Sequence, residues 1–202
     1  MQAGFLGVGK RLAVDFANTV YAPGDPEGAV RSWADVVAFL REAGAVESGE
    51  ADRLRRMGRK NPRQCAAALA RALELRRLVR AVLGAVAARE RLRIAWLEAV
   101  NRALRSGAGA EALARAGSGW RLAFLADRRD PLAALAPIAR SLAEIIAEGP
   151  GAPVRRCANP RCVLYFYDDS RTGRRRWCSM AVCGNRMKVA AHARRRARGG
   201  RG

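Results

Sequence analysis

Apolar residues recur at helical spacing over most of the first 150 positions. Ser32 precedes Trp33, Val36, Val37 and Leu40, a capping residue followed by one apolar stripe, and Gly44 closes that helix. Ser48 to about Arg59 predicts a shorter, basic helix, and Asn61-Pro62 breaks the chain behind it. From Gln64 to Ala88, the run Leu69, Leu73, Leu75, Leu78, Val79, Val82, Leu83 and Val86 predicts the longest helix, with Cys65 as a small core residue near its start. Trp96, Val100 and Leu104 mark another, ending at Ser106-Gly107. Asp130-Pro131 is a cap followed by a first-turn proline. Leu135, Ile138, Leu142, Ile145 and Ile146 supply the stripe that follows, which Pro137 kinks or restarts.

Two stretches break this period. LAVDFANTV (12–20) alternates apolar and small residues around Asp15 and Asn18, which predicts a buried strand or a strand-to-helix junction. Asp15 and Asn18 are candidates for a ligand pocket, weighed against the commoner role of tying down backbone. Trp120, Leu122 and Phe124 alternate and predict a short strand. The fold class is therefore α+β. A predominantly helical domain spans 1–148 with a short β element, 149–153 is a linker, 154–198 a small C-terminal module and 199–202 a basic tail.

Four of the five cysteines fall in the C-terminal module, as Cys157-x4-Cys162 and Cys178-x4-Cys183 with 15 residues between the pairs. Two close pairs across a short spacer fit one four-thiolate zinc site. Four protein ligands leave no open position, so the Zn²⁺ is structural. VLYFY (163–167) and RRRW (174–177) predict the two strands of a β-hairpin, and the stretch from Cys183 to Arg196 predicts a helix, giving a treble-clef-like arrangement. His192 is the sole histidine and is not needed to complete the ligand set. With no histidine to spare and no open metal position, the chain is not expected to be an enzyme.

Charge adds a partner to this picture. The 202-residue chain has a formal charge of +20. Residues 155–202 hold 14 basic and 2 acidic side chains, against 24 and 16 in the first 154. Arginine outnumbers lysine 35 to 3, a skew to which a GC-rich genome can contribute. So basic a module suits a polyanion, nucleic acid first. Arg174, Arg175 and Arg176 on the return strand are candidate phosphate contacts. Lys188, His192 and Arg195 form a helical stripe that Arg194 and Arg196 widen, and Asn185 and Arg186 are candidate base readers. DNA is the expected partner. RNA stacked on Tyr165, Phe166 or Tyr167 is the first alternative, and a zinc-stabilised protein-interaction module the second. No uncharged run of 18 apolar residues suggests a membrane span, and Asp15 and Asn18 interrupt what faintly imitates a signal peptide after Lys10-Arg11. A cytoplasmic location is expected, where reducing conditions favour metal over disulfides.

The string Cys178-Ser-Met-Ala-Val-Cys183-Gly184-Asn185-Arg186, preceded by SRTGRRRW, strongly resembles the CGNR zinc finger family. Upstream, LAVDFANTV, AWLEAVNRAL and PLAALAPIARSLAEII resemble its usual partner, the alpha/beta trunk or ABATE domain. The resemblance implies a bacterial, stress-related transcriptional regulator. Its four cysteines would hold zinc, its finger would bind DNA at the nucleoid, and its trunk would sense a small molecule or form a homodimer.

Overall fold

The structure is a computed structural model that describes residues 7–25, 28–106, 109–117, 119–126 and 130–199. Side chains of 106, 109–112, 114, 116, 123–126, 194, 195 and 197–199 lie outside that description.

Helix α4 (Pro62–Ala88) is the beam on which the trunk is built. At 1.5 Å per residue, its 27 residues extend about 40 Å. Cys65, Ala68, Ala72, Leu75, Val79, Val82 and Leu83 line its buried side. Small residues near its start let neighbouring backbones approach, and larger ones fill the centre. Proline at its first position needs no N–H partner there.

Helix α2 (Trp33–Glu42) starts in a capping box: the Asp35 N–H donates to Ser32 Oγ, and Asp35 returns a carboxylate to the Ser32 N–H at 2.7 Å. It ends where Ala45 N–H reaches the Leu40 carbonyl at 2.8 Å and Gly44 N–H reaches Arg41 at 3.0 Å. That closure needs a left-handed residue, and Gly44 supplies it with φ +69°. Helix α3 (Ser48–Lys60) folds back on α2, where Trp33 Nε1 donates to the Leu54 carbonyl at 3.2 Å.

The stretch 12–20 is not a strand. Leu12–Ala17 forms helix α1, wedged between α4 and α6 (Ala136–Ala147). Ala13, Val14, Phe16 and Ala17 are all buried, so contact on several sides erased the one-sided apolar pattern that marks a helix. Phe16 meets Phe39 of α2 with ring centroids 5.1 Å apart. Helix α5 (Ile94–Ser106) completes the helical layer. A 3-10 turn (Pro131–Leu135), capped by Asp130, leads directly into α6, so Pro137 sits in a first turn and breaks no hydrogen bond. Strands β1 (Gly109–Ala116) and β2 (Gly119–Ala126) form a separate antiparallel hairpin; the sequence reading anticipated only β2.

In the C-terminal module, β3 (Val154–Arg156) pairs antiparallel with β4 (Tyr165–Tyr167), and the first cysteine pair lies in their connection. The expected strand at 174–177 is instead irregular chain held by side chains. The buried Asp168 carboxylate explains this. It accepts from Ser170 Oγ at 2.5 Å, Arg175 N–H at 3.1 Å and Arg155 Nε at 3.0 Å. Those bonds curl 168–175 into a compact loop. A π turn (Met180–Gly184) then opens into helix α7 (Asn185–Gly199), close to the expected helix.

Candidate metal centre and its basic surround

Each cysteine is delivered by a local backbone device. Cys157 follows β3, its N–H donating to the Leu164 carbonyl at 3.0 Å. Asn159 turns the chain between the first two cysteines: its Oδ1 accepts from the Arg161 N–H and its carbonyl from the Cys162 N–H. Cys178 is fixed by Arg175, whose guanidinium donates to the carbonyls of Trp177 (3.0 Å) and Cys178 while lying 4.4 Å from the centre of the Phe166 ring. Ser179 Oγ caps the π turn that carries Cys183.

All four Sγ atoms lie within 4.8 Å of one another. Cys162 and Cys178 are 3.7 Å apart, and Cys178 and Cys183 3.6 Å. A tetrahedron with Zn–S bonds of about 2.3 Å has sulfurs about 3.8 Å apart, whereas a disulfide needs about 2.05 Å. The spacing fits a metal and not a disulfide, and all five cysteines are free thiols. Two further donors reach the sulfurs: Cys178 N–H to Cys157 Sγ and Asn159 Nδ2 to Cys183 Sγ, both at 3.4 Å. Asn159 thus shapes the turn and steadies a thiolate from the other pair, as outer-shell groups of metal sites do.

Four buried sulfurs cannot all ionise without a cation among them. Burial pushes the Cys157 thiol up, while a hydrogen bond from Cys178 holds Cys162 down and raises Cys178 in turn. One zinc ion resolves this by stabilising all four thiolates, and the donor set holds it in a closed, structural site.

The centre's one-sided glycine is explained by contact. A β-carbon on buried Gly184 would come 2.3 Å from Met180 Sδ and 3.1 Å from Trp177 Cδ1. Around the centre, the candidate contact residues separate. Arg174, Arg176, Asn185, Arg186, Lys188, His192 and Arg196 are exposed, with Arg176 5.1 Å from the Trp177 ring centre. Arg175 turns inward as described. The side chains of Arg194 and Arg195 are outside the described residues.

The module is bound to the trunk by polar groups that the sequence reading did not pair. Asn18 Nδ2 donates to the Tyr165 carbonyl and its Oδ1 accepts from the Tyr165 N–H, with both residues buried. Arg80 of α4 donates to Ala17 O at 2.9 Å and Val163 O at 3.2 Å. Lys10 pairs with Asp169 at 2.7 Å, and Val8 packs against the cysteine cluster. Asp15 is half-buried and accepts from the Gly9 N–H at 2.7 Å; burial lifts its carboxyl to about 6. Neither Asp15 nor Asn18 lines the trunk's groove of about 440 Å³, which Leu75, Leu78, Leu132 and Leu135 floor beside Arg71 and Arg102.

With this geometry in place, comparison with known families is informative. Residues 154–196 match the CGNR zinc finger, and residues 10–149 match ABATE, described as a putative stress-induced transcription regulator. The chain belongs to the ABATE family. Its CGNR finger is the four-cysteine centre just described, one zinc ion included. Neither family description is that of an enzyme. No curated protein matches the chain. Among the described residues of this ABATE protein, no helix is long and apolar enough to cross a membrane.

Proposed function

We propose that this protein regulates transcription by docking its zinc finger on duplex DNA, with phosphate contacts from α7 and the 171–176 loop. The carrying observation is an electrostatic segregation. From Ser170 to the end of the chain there are 11 basic residues and no acidic one. The finger's only two carboxylates are already engaged, Asp168 by Arg155 and Asp169 by Lys10. Its outer surface therefore offers cations with no competing carboxylate.

On α7, Met187, Ala190 and Ala191 are half-buried, while Asn185, Lys188, His192 and Arg196 form an exposed stripe at near-helical spacing. Phosphates take Lys188 and Arg196, and Arg186 and Asn185 stand at the helix start, where recognition helices commonly meet base edges. Arg175 is left out of this surface because its guanidinium supports Cys178. Single-stranded stacking on β4 gains no support: Tyr165 and Phe166 are buried, and the Tyr167 hydroxyl donates to Glu148 at 2.6 Å.

Duplex binding by zinc-loaded protein across a salt series tests the reading. Replacing Arg186, Lys188 and Arg196 by alanine should weaken binding, and the slope of log K against log salt should fall by about 0.9 per lost phosphate contact. Equal affinity and slope would remove α7 from the interface, and stronger competition by structured RNA than by DNA would change the polymer.

A further inference from the structure

The β1–β2 hairpin presents an apolar face with no partner in the trunk. In its register, Leu113 lies opposite Leu122, and Arg115 opposite Trp120. Opposed residues share a face, as do residues two apart along a strand. Leu113, Trp120 and Leu122 therefore stand side by side, 69%, 65% and 61% exposed. Arg121, of opposite parity, forms an ion pair with Glu47 at the start of α3. That contact turns the other face of the hairpin toward the body and leaves the apolar one outward.

We propose that this hairpin is the homodimer interface: β1 of one copy pairs antiparallel with β1 of a second, across a two-fold axis through Leu113, giving a four-stranded sheet. Three features select a second copy as occupant. The sheet has only two strands, so β1 keeps an open edge. Ala116 pairs with Gly119 around a two-residue turn, so even-numbered residues bond to β2 and odd-numbered ones direct N–H and C=O to that edge. A pair centred on Leu113 meets this requirement. The edge also lacks proline and lysine, the usual guards against strand addition.

Charge fixes the register. Glu111 and Arg115 flank Leu113 at two positions on either side. Two-fold pairing at Leu113 sets position 111 of each copy opposite position 115 of the other, acid against base, twice. Centring on Glu111 or Arg115 would place like charges face to face, which is unfavourable. In a chain of net charge +20, this is a self-complementary and nearly neutral surface. Such a dimer carries two fingers related by symmetry, although the interface itself does not depend on DNA binding.

Sedimentation equilibrium of the full-length, zinc-loaded protein without DNA tests the proposal, with circular dichroism checking that each variant is folded. A concentration-dependent dimer is expected. Leu113→Arg, Glu111→Arg and Arg115→Glu should each weaken it about tenfold or more. An equimolar mixture of the Glu111→Arg and Arg115→Glu chains should associate as well as wild type, because each then faces its opposite charge. A wild-type chain that stays monomeric, a dimer indifferent to all three substitutions, or a mixture no tighter than either single variant would overturn the proposal.

Discussion

Asn18 grips Tyr165 as a neighbouring strand would, its carboxamide giving a hydrogen bond to the Tyr165 carbonyl at 2.8 Å and taking one from the Tyr165 N–H at 2.9 Å. The two residues are 147 positions apart and buried, so one side chain joins the trunk's first helix to the finger's second strand. Asn18→Ala strands a buried donor and a buried acceptor. At about 1–3 kcal/mol for each unsatisfied group, the loss should be about 2–5 kcal/mol by urea unfolding. Wild-type stability in this variant would mean that the finger is not held through Asn18.

Gly184 should tolerate no side chain at its present spacing. Gly184→Ala drives a β-carbon toward Met180 and Trp177 beside the ligand Cys183. Overpacking of this kind costs about 1–3 kcal/mol. Because Met180 is half-exposed and flexible, Met180→Ala should recover part of the loss in the double variant. No recovery would show that the Trp177 contact or the backbone, not Met180, sets the requirement.

Much of the trunk's architecture is legible in the chain. A stripe on one face identifies α2, α4, α5 and α6, and Ser32, Gly44, Pro62 and Asp130 mark their ends. Cysteine spacing identifies the metal centre, because zinc chemistry restricts ligand type and number more tightly than packing restricts core residues. What escaped detection depends on partners distant in sequence. Helix α1 looked like a strand because α4 and α6 bury it on several sides. GAEALARA, rich in helix-favouring alanine, became β1 through pairing with β2, a tertiary override of local preference. The 174–177 strand was displaced by Asp168, a role that Asp168-Asp169-Ser170 hints at as a turn signal without showing which N–H groups the carboxylate would take. Asn18 carried no sign of Tyr165.

Asp15 gives the trunk a distinct pH signature. Burial raises its folded-state carboxyl to about 6, above the ordinary value near 3.9. The folded state therefore holds its proton longer than the unfolded one, and the contribution to stability is greatest below about pH 4 and declines as pH rises through about 6. Asp15→Asn should remove that decline. The difference in unfolding free energy, variant minus wild type, should grow in favour of the variant between pH 4 and 7, with effects of zinc loss cancelling in the comparison. A difference independent of pH would contradict the assignment.

Arg175 should behave unlike the exposed arginines around it. Its guanidinium supports the carbonyls that position Cys178, so Arg175→Ala should lower zinc affinity, read by competition with a chromogenic chelator, by about 10-fold or more. Arg174→Ala, at an exposed neighbour, should leave zinc affinity unchanged. Equal effects from the two would place Arg175 among the surface charges.

The whole arrangement turns on whether four sulfurs hold one ion. Metal analysis of reduced, purified protein, combined with zinc-edge X-ray absorption, measures this directly. The expected result is one zinc per chain with four sulfur neighbours at about 2.3 Å. A chain that retains the 154–199 fold without stoichiometric metal, or a zinc carrying an oxygen or nitrogen ligand in place of a sulfur, would contradict it.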